Sequence, residues 1–230
     1  AAWIKKLLFV FLLGGLQGFV GWIMVASGLE GDPWVDPSKL TIHLLLALVL
    51  LMVLVFYALS FRTEDIISDH PVANRSVKWV IAIILIQITL GGLMAGTDAG
   101  RLYNTWPLMN SKFIPDGAFQ QMMHAEKLTQ LTTEINFLHR NFAIIVALSI
   151  IGFWWQNRKF ASPRVQQLNA YLLLLLFVQF LLGIFTLLGS KINIPVALGV
   201  AHQTIACILL GVSVAILFYT KNRHGVKLKG

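Results

Sequence analysis

The sequence predicts an all-α integral membrane protein with six transmembrane helices. Of its 230 residues, 57% are hydrophobic and 12% charged, and the mean hydropathy of +0.75 is far from that of a soluble domain. The apolar residues gather into six runs, each close to the ~20 residues that carry a helix across a bilayer core. The basic residues, which give a net charge of +8, fall in short loops and a tail between those runs. That is the distribution of a membrane surface, so nucleic acid is excluded as a partner and lipid is the expected surrounding.

The runs follow one another in a simple order. The first, α1 (3–26), is too long for a cleavable signal and leads into a polar loop instead of a small-residue cleavage site. Next comes α2 (40–61), with His43 near its start, and then α3 (77–95). A polar stretch of 38 residues, 96–133, follows; it is too long for a turn and reads as a functional or partly structured loop. The second half holds α4 (134–155), which opens on Glu134, His139 and Arg140, then α5 (168–188), then α6 (195–219) with His202 and the single cysteine, Cys207. One cysteine in an apolar run forms no intrachain disulfide, and its expected role is packing.

Orientation follows from Lys and Arg. Twelve of the 18, from Lys5 and Lys6 to Lys227 and Lys229, lie on the side of the termini; Lys39, Arg101, Lys112, Lys127, Arg140 and Lys191 make six on the other. Both termini are therefore expected in the cytoplasm or its equivalent, with the long loop outside. His43, His139 and His202 then fall five to seven residues inside the outer ends of the even helices, on the order of 7–12 Å deep at ~1.5 Å per residue. His70, His124 and His224 sit in loops or the tail, where solvation is the expected role.

The odd helices repeat a second signal. QGFVG, QITLG and QFLLG place Gln17/Gly21, Gln87/Gly91 and Gln179/Gly183 four residues apart on one helix face. Each pair precedes an even helix with a histidine near its outer end, so the unit is a helical hairpin repeated three times. Taken singly, Gln-x-x-x-Gly signals helix packing; in register with the histidines, it also leaves room for a flat macrocycle.

A lone membrane histidine is commonly an interhelical hydrogen-bonder. Three at one level fit axial ligation of heme iron better, since imidazoles from two helices can meet one iron from opposite sides. A carboxylate-rich di-metal site is not expected, because only Glu134 comes near. Arg140 can pair bidentately with a heme propionate while His139 reaches the iron; snorkelling to the headgroups is the plainer alternative. Lys39, four residues before His43, has the same two readings, with snorkelling preferred. Pairing α4 with α6 completes one site from His139 and His202, and leaves His43 in an unfinished bundle of α1 and α2. A fourth hairpin is therefore expected ahead of Ala1.

The motifs GLQGFVGWIMVASGL (15–29), HLLLALVL (43–50), QITLGGLMAGTDAGRLYNTWPLM (87–109), FLHRNFA (137–143), QFLLGIFTLL (179–188) and AHQTIA (201–206) resemble the heme A synthase family over essentially the whole chain. The resemblance is to its proteobacterial and mitochondrial type, which acts in cytochrome oxidase assembly. AGxxAGxxYNTWPLM and GLQGxxGWxMVxSGL are its specific parts. It implies eight transmembrane helices in two pseudo-symmetric four-helix halves, and oxidation of the ring methyl of heme O to the formyl group of heme A, by two successive hydroxylations and loss of water. It also implies that His139 and His202 are the axial ligands of a heme b held by residues 77–230. His43 resembles one of two histidines that hold the substrate, heme O, in the half to which residues 1–76 belong.

The family's catalytic glutamate and the second substrate histidine have no counterpart here, so the chain as given is expected to be incomplete and inactive alone. Ala26 and Lys39 stand where Lys and Arg are expected, and Lys39 lacks a planar fork for a propionate. The aromatic loop around Tyr103, Asn104, Trp106 and Pro107 either closes over the outer pockets or forms an interfacial belt. Expected partners are heme O, the heme O synthase and membrane lipid, with a homo-oligomer possible and the electron-transfer partner open; a bacterial or mitochondrial inner membrane is the expected location. The alternative function is a non-enzymatic bis-histidine heme b protein for electron transfer or heme carriage. A transporter of repeated hairpins is disfavoured, because the helices lack breaks and midplane charges.

Overall fold

The computed structural model describes residues 2–29, 34–62, 71–120, 122, 124–159 and 162–221. Among them the helices are α1 Ala2–Ala26, α2 Pro37–Arg62, α3 Pro71–Gly96, α4 Thr132–Asn157, α5 Pro163–Gly189 and α6 Val196–Tyr219, with short 3-10 turns at Ala99–Arg101 and Leu128–Gln130 and no strand. All six α-helices are long and apolar enough to cross a membrane, and the protein is an all-helical integral membrane protein. His70, His224, Arg223, Lys227 and Lys229 lie outside the described residues.

Three helices start earlier than their apolar runs, because helix starts are set by capping chemistry whereas runs record only hydrocarbon. Pro37, Pro71 and Pro163 occupy first-turn positions, where the missing N–H costs nothing. Ahead of α2, the Asp36 carboxylate accepts from the backbone N–H of Ser38 at 2.9 Å and of Lys39 at 3.1 Å, and also from the Ser38 hydroxyl. The Ser38 hydroxyl bond, helped by these N–H groups, holds the Asp36 carboxyl below its ordinary range. Ser162 caps α5 in the same way, accepting from Val165 N–H at 3.4 Å.

Neighbouring helices pack as antiparallel hairpins: α1 on α2, α3 on α4 and α5 on α6, with α2 also against α3 and α6. The packing is uneven along the bundle. At the end where α3 and α5 begin, Val77, Val80, Ile84, Ile150, Phe153, Val165, Leu172, Leu210, Val214 and Phe218 form a filled core. Polar contacts tie that end together: Asn74 Nδ2 donates to Leu217 O at 3.3 Å and Ser76 Oγ to Gln156 Oε1 at 2.8 Å. Toward the opposite end the same helices part around a cavity, to which Gly91, Gly92, Ala95, Gly183 and Gly199 contribute.

Candidate functional site

The repeat read from the sequence becomes a repeated contact. In the first hairpin Gln17 Nε2 donates to His43 Nε2 at 3.1 Å and to His43 O at 3.2 Å. In the second, Gln87 Nε2 donates to His139 Nδ1 at 3.2 Å and to His139 O at 3.0 Å. In the third, Gln179 Nε2 donates to His202 Nε2 at 3.2 Å, while His202 Nδ1–H donates back to Gln179 O at 3.1 Å. One turn further on, a glycine meets the ring edge. A Cβ on Gly21, Gly91 or Gly183 would lie 2.8, 3.1 or 3.0 Å from the Cε1 of His43, His139 or His202. Each imidazole thus lies in a slot that only glycine leaves open, steadied by the glutamine four residues earlier.

The slots of His139 and His202 open into one cavity of about 360 Å3 between α3, α4, α5 and α6. That volume is in the range of small-molecule and cofactor sites. Ile84, Ile88, Val146, Leu176, Phe180 and Ile184 give it apolar walls, and the polar groups are few: the two histidines, Gln87, Gln179, Gln203 and Arg140 among them. His43 does not line this cavity; its ring is enclosed by Gln17 and Gly21, and its Nδ1 is buried without a partner.

Arg140 is turned toward the outer loop. Its side chain is only 8% exposed, and the guanidinium donates to four backbone carbonyls of the outer loop. Nη1 reaches Tyr103 O at 3.2 Å, and Nη2 reaches Thr105, Pro107 and Leu108 O at 2.8, 3.0 and 3.3 Å. The guanidinium carbon lies 5.6 Å from the centre of the Trp106 ring, and that ring packs edge-on against Phe180 at 5.6 Å. Because Gly100 and Trp106 both line the cavity, this segment of the loop is part of its wall, which favours closure of the pocket over a free interfacial belt. Asn104 Nδ2 fastens the loop to α5 through Leu187 O at 3.1 Å. Tyr103, with φ 50°, is a non-glycine residue in the left-handed region that this pinned turn enforces.

Two anchors stand at the start of α4: Asn136, which the sequence reading passed over, and Glu134, which it weighed only as a carboxylate near the histidines. Asn136, 0% exposed, donates to Ala99 O at 2.7 Å and Leu102 O at 3.1 Å. Glu134, 3% exposed, accepts from Phe119 N–H at 2.9 Å. The available signal was a run of polar residues inside the first turns of a span, where each must find a partner. Lys39 lies in the first turn of α2, its backbone N–H on Asp36, and His124 is exposed in the loop. Among the described residues no cluster of three or more His, Cys, Asp and Glu could hold a bare metal ion.

The donor set fits a flat iron macrocycle. Two neutral imidazoles face one apolar cavity from different hairpins, and His139 Nε2 makes no hydrogen bond among the described residues. Residues 1–214 match the family described as cytochrome oxidase assembly protein, COX15-CtaA. The chain belongs to that family. It is 37% identical over 213 residues to a "Heme A synthase" of Flavobacterium johnsoniae, covering 90% of the chain and 61% of the relative. A protein of the same name from Parvibaculum lavamentivorans is 35% identical, covering 93% and 60% respectively. One from Brucella ovis is 38% identical over 224 residues, covering 95% and 61%. The chain thus spans about three-fifths of the length of these curated relatives. No solved structure matches it.

Proposed function

We propose that this chain supplies the larger part of a heme A synthase, an integral-membrane oxidoreductase that converts the ring methyl of heme O to the formyl group of heme A for cytochrome c oxidase. The observation that carries the reading is the pair His139 and His202, each seated on a glutamine and a glycine of its hairpin partner and both lining one apolar cavity. Family membership supplies the reaction class.

On this reading residues 77–230 form the heme b half, with His139 and His202 as axial ligands. Residues 1–76 belong to the half that holds heme O, with His43 as one of its ligands. When bound, heme b supplies one-electron transfer. The chain's own part is placement. The glycine slots fix where each ring sits, apolar walls exclude water, and the pinned loop closes one side. Arg140 keeps Nε–H and one Nη1–H free of the loop carbonyls, donors available to a propionate at the cavity wall. The expected setting is a bacterial or mitochondrial inner membrane, with the termini on the cytoplasmic or matrix face and a heme O synthase as the supplier of substrate.

A second reading, a bis-histidine heme b protein for electron transfer or heme carriage, is favoured by one observation: the cavity is lined mainly by α3–α6, with Leu44 from α2, and does not include His43. One experiment separates the two. The full-length gene is expressed in cells that make heme O but lack their own heme A synthase, and extracted hemes are resolved by chromatography. Heme A supports the synthase; bound heme b with no heme A supports the carrier; neither heme rejects both.

A further inference from the structure

The three glutamine–histidine contacts look alike but differ in one respect. Gln17 and Gln87 each hold their histidine at two points, because the same amide also donates to that histidine's main-chain oxygen. The Gln179 side chain holds His202 by the ring contact alone, at 3.2 Å, and its Oε1 is buried without a partner. The second bond of that pair runs the other way, from His202 Nδ1–H to the main-chain oxygen of Gln179 at 3.1 Å.

Tautomer chemistry gives this difference its meaning. A neutral imidazole has one N–H and one lone pair. A carbonyl oxygen can only accept, so Nδ1 of His202 carries the proton and Nε2 carries the lone pair. An amide nitrogen can only donate, so the Gln179 side chain sits on that lone pair, the one atom of His202 able to bind a metal. The main-chain bond fixes the ligating tautomer, as outer-shell carbonyls do for metal-bound histidines, and the side chain occupies the ligating atom. Both Gln179 and His202 line the cavity.

We propose that Gln179 is a displaceable cap on His202: its main chain presets Nε2 as the ligating atom, and its side-chain amide covers that atom until heme iron takes its place. This rests on the reading of α3–α6 as a bis-histidine heme site. Gln179 is a positioning residue and does not itself touch the reacting atoms. The cap is weak by construction, since one neutral hydrogen bond secures it and the amide oxygen gains nothing from the arrangement. Gln87 plays the opposite part. Its amide donates to Nδ1 and to the main-chain oxygen of His139, so Nε2 of His139 carries the proton; ligation at that atom moves the proton to Nδ1, where the amide, once turned, offers Oε1, now buried and unpartnered, as its acceptor.

The test uses the protein made in a heme-deficient host, purified in detergent micelles and mixed with ferrous protoheme, with the low-spin spectrum followed in time. Gln179→Met and Gln179→Leu, neither of which can donate to Nε2, should reach the low-spin state about fivefold faster than the parent, the equivalent of one neutral hydrogen bond. Gln87→Met should hold heme less tightly. A purely packing role predicts losses at both positions, so the opposite signs are diagnostic. Parent-like or slower rates in both Gln179 variants would overturn the cap, and if Gln179→Met fails to fold, Gln179→Leu decides. A parent protein that never becomes low-spin overturns the bis-histidine site and the cap with it; a low-spin parent with unaffected Gln179 variants overturns the cap alone.

Discussion

Replacing Arg140 by alanine tests whether this side chain holds the outer loop. The guanidinium donates to four carbonyls, but three of them share Nη2, which has two hydrogens, so with the Nη1 bond the set counts as about three full bonds. Hydrogen bonds from a charged group contribute ~1.5–2 kcal/mol each at the lower end of their range, giving about 4.5–6 kcal/mol for closure of this segment. At ~1.4 kcal/mol per tenfold, opening of the turn around residues 103–110 should become about three to four orders of magnitude more frequent. Hydrogen exchange read by mass spectrometry in micelles reports this through the amides of Met109 and Asn110, which the closed loop bonds to Lys112 O at 2.8 Å and Thr105 Oγ1 at 2.9 Å. Arg140→Lys, with a compact ammonium in place of a fork, should fall between the two. Asn136 still holds Ala99 and Leu102, so exchange at 97–102 should rise far less. Exchange unchanged at 103–110 would refute the anchor, and equal rises through α4 and α6 would mean that Arg140 supports the bundle rather than the loop.

Two further outcomes follow from the geometry. Alanine at Gly91 or Gly183 would bring its Cβ to 3.1 or 3.0 Å from an imidazole carbon, whereas at Gly152 it meets nothing within 4 Å. Gly91→Ala and Gly183→Ala should therefore lose ~1–3 kcal/mol by overpacking and shift the spectrum of bound heme. Gly152→Ala should be neutral or up to ~1 kcal/mol more stable, as thermal denaturation would check. The Asp36 carboxyl is depressed on folding, so its contribution to the start of α2 is present above its unfolded pKa and lost as pH falls through the lower folded value. Protection of the Ser38 and Lys39 amides, measured against the intrinsic exchange rate at each pH, should fall below about pH 4, and Asp36→Ala should bring the same fraying, worth ~1 kcal/mol, at neutral pH.

The spans were legible because hydrocarbon run length is set by bilayer thickness, and the depth of the histidines followed from the spans. The pairing of Gln17, Gln87 and Gln179 with His43, His139 and His202 was half legible: spacing put the amide and the glycine on one face, and the short loop after α5 made its neighbour plain. What the sequence did not disclose is the role of Arg140. Its partners are main-chain oxygens more than thirty residues upstream, and a carbonyl leaves no mark in a sequence because every residue has one. The early starts of α3 and α5 were missed for a related reason. Pro71 and Ser162–Pro163 carry capping signals, but their first turns are polar, and a search for hydrocarbon passes over them.

The placement of the cavity explains how a bundle can keep an apolar void in a membrane, where no hydrophobic drive presses helices together and close packing is the main attraction. A void should draw its walls inward unless both ends are held apart. One end is held by the filled core from Val77 to Phe218. The other is held by the loop, which Arg140, Asn136 and Asn104 fasten across α4 and α5. The hairpin of α1 and α2 is less supported: the most apolar window of α1 has no buried residue, and neither Gln17 nor His43 lines the cavity among the described residues. His139 and His202 should then take up heme b without rearrangement of their helices, whereas His43 alone should not retain one. In the protein with His139→Ala and His202→Ala together, heme left on this chain after purification should fall to background; heme retained at His43 would show that the braces do not matter.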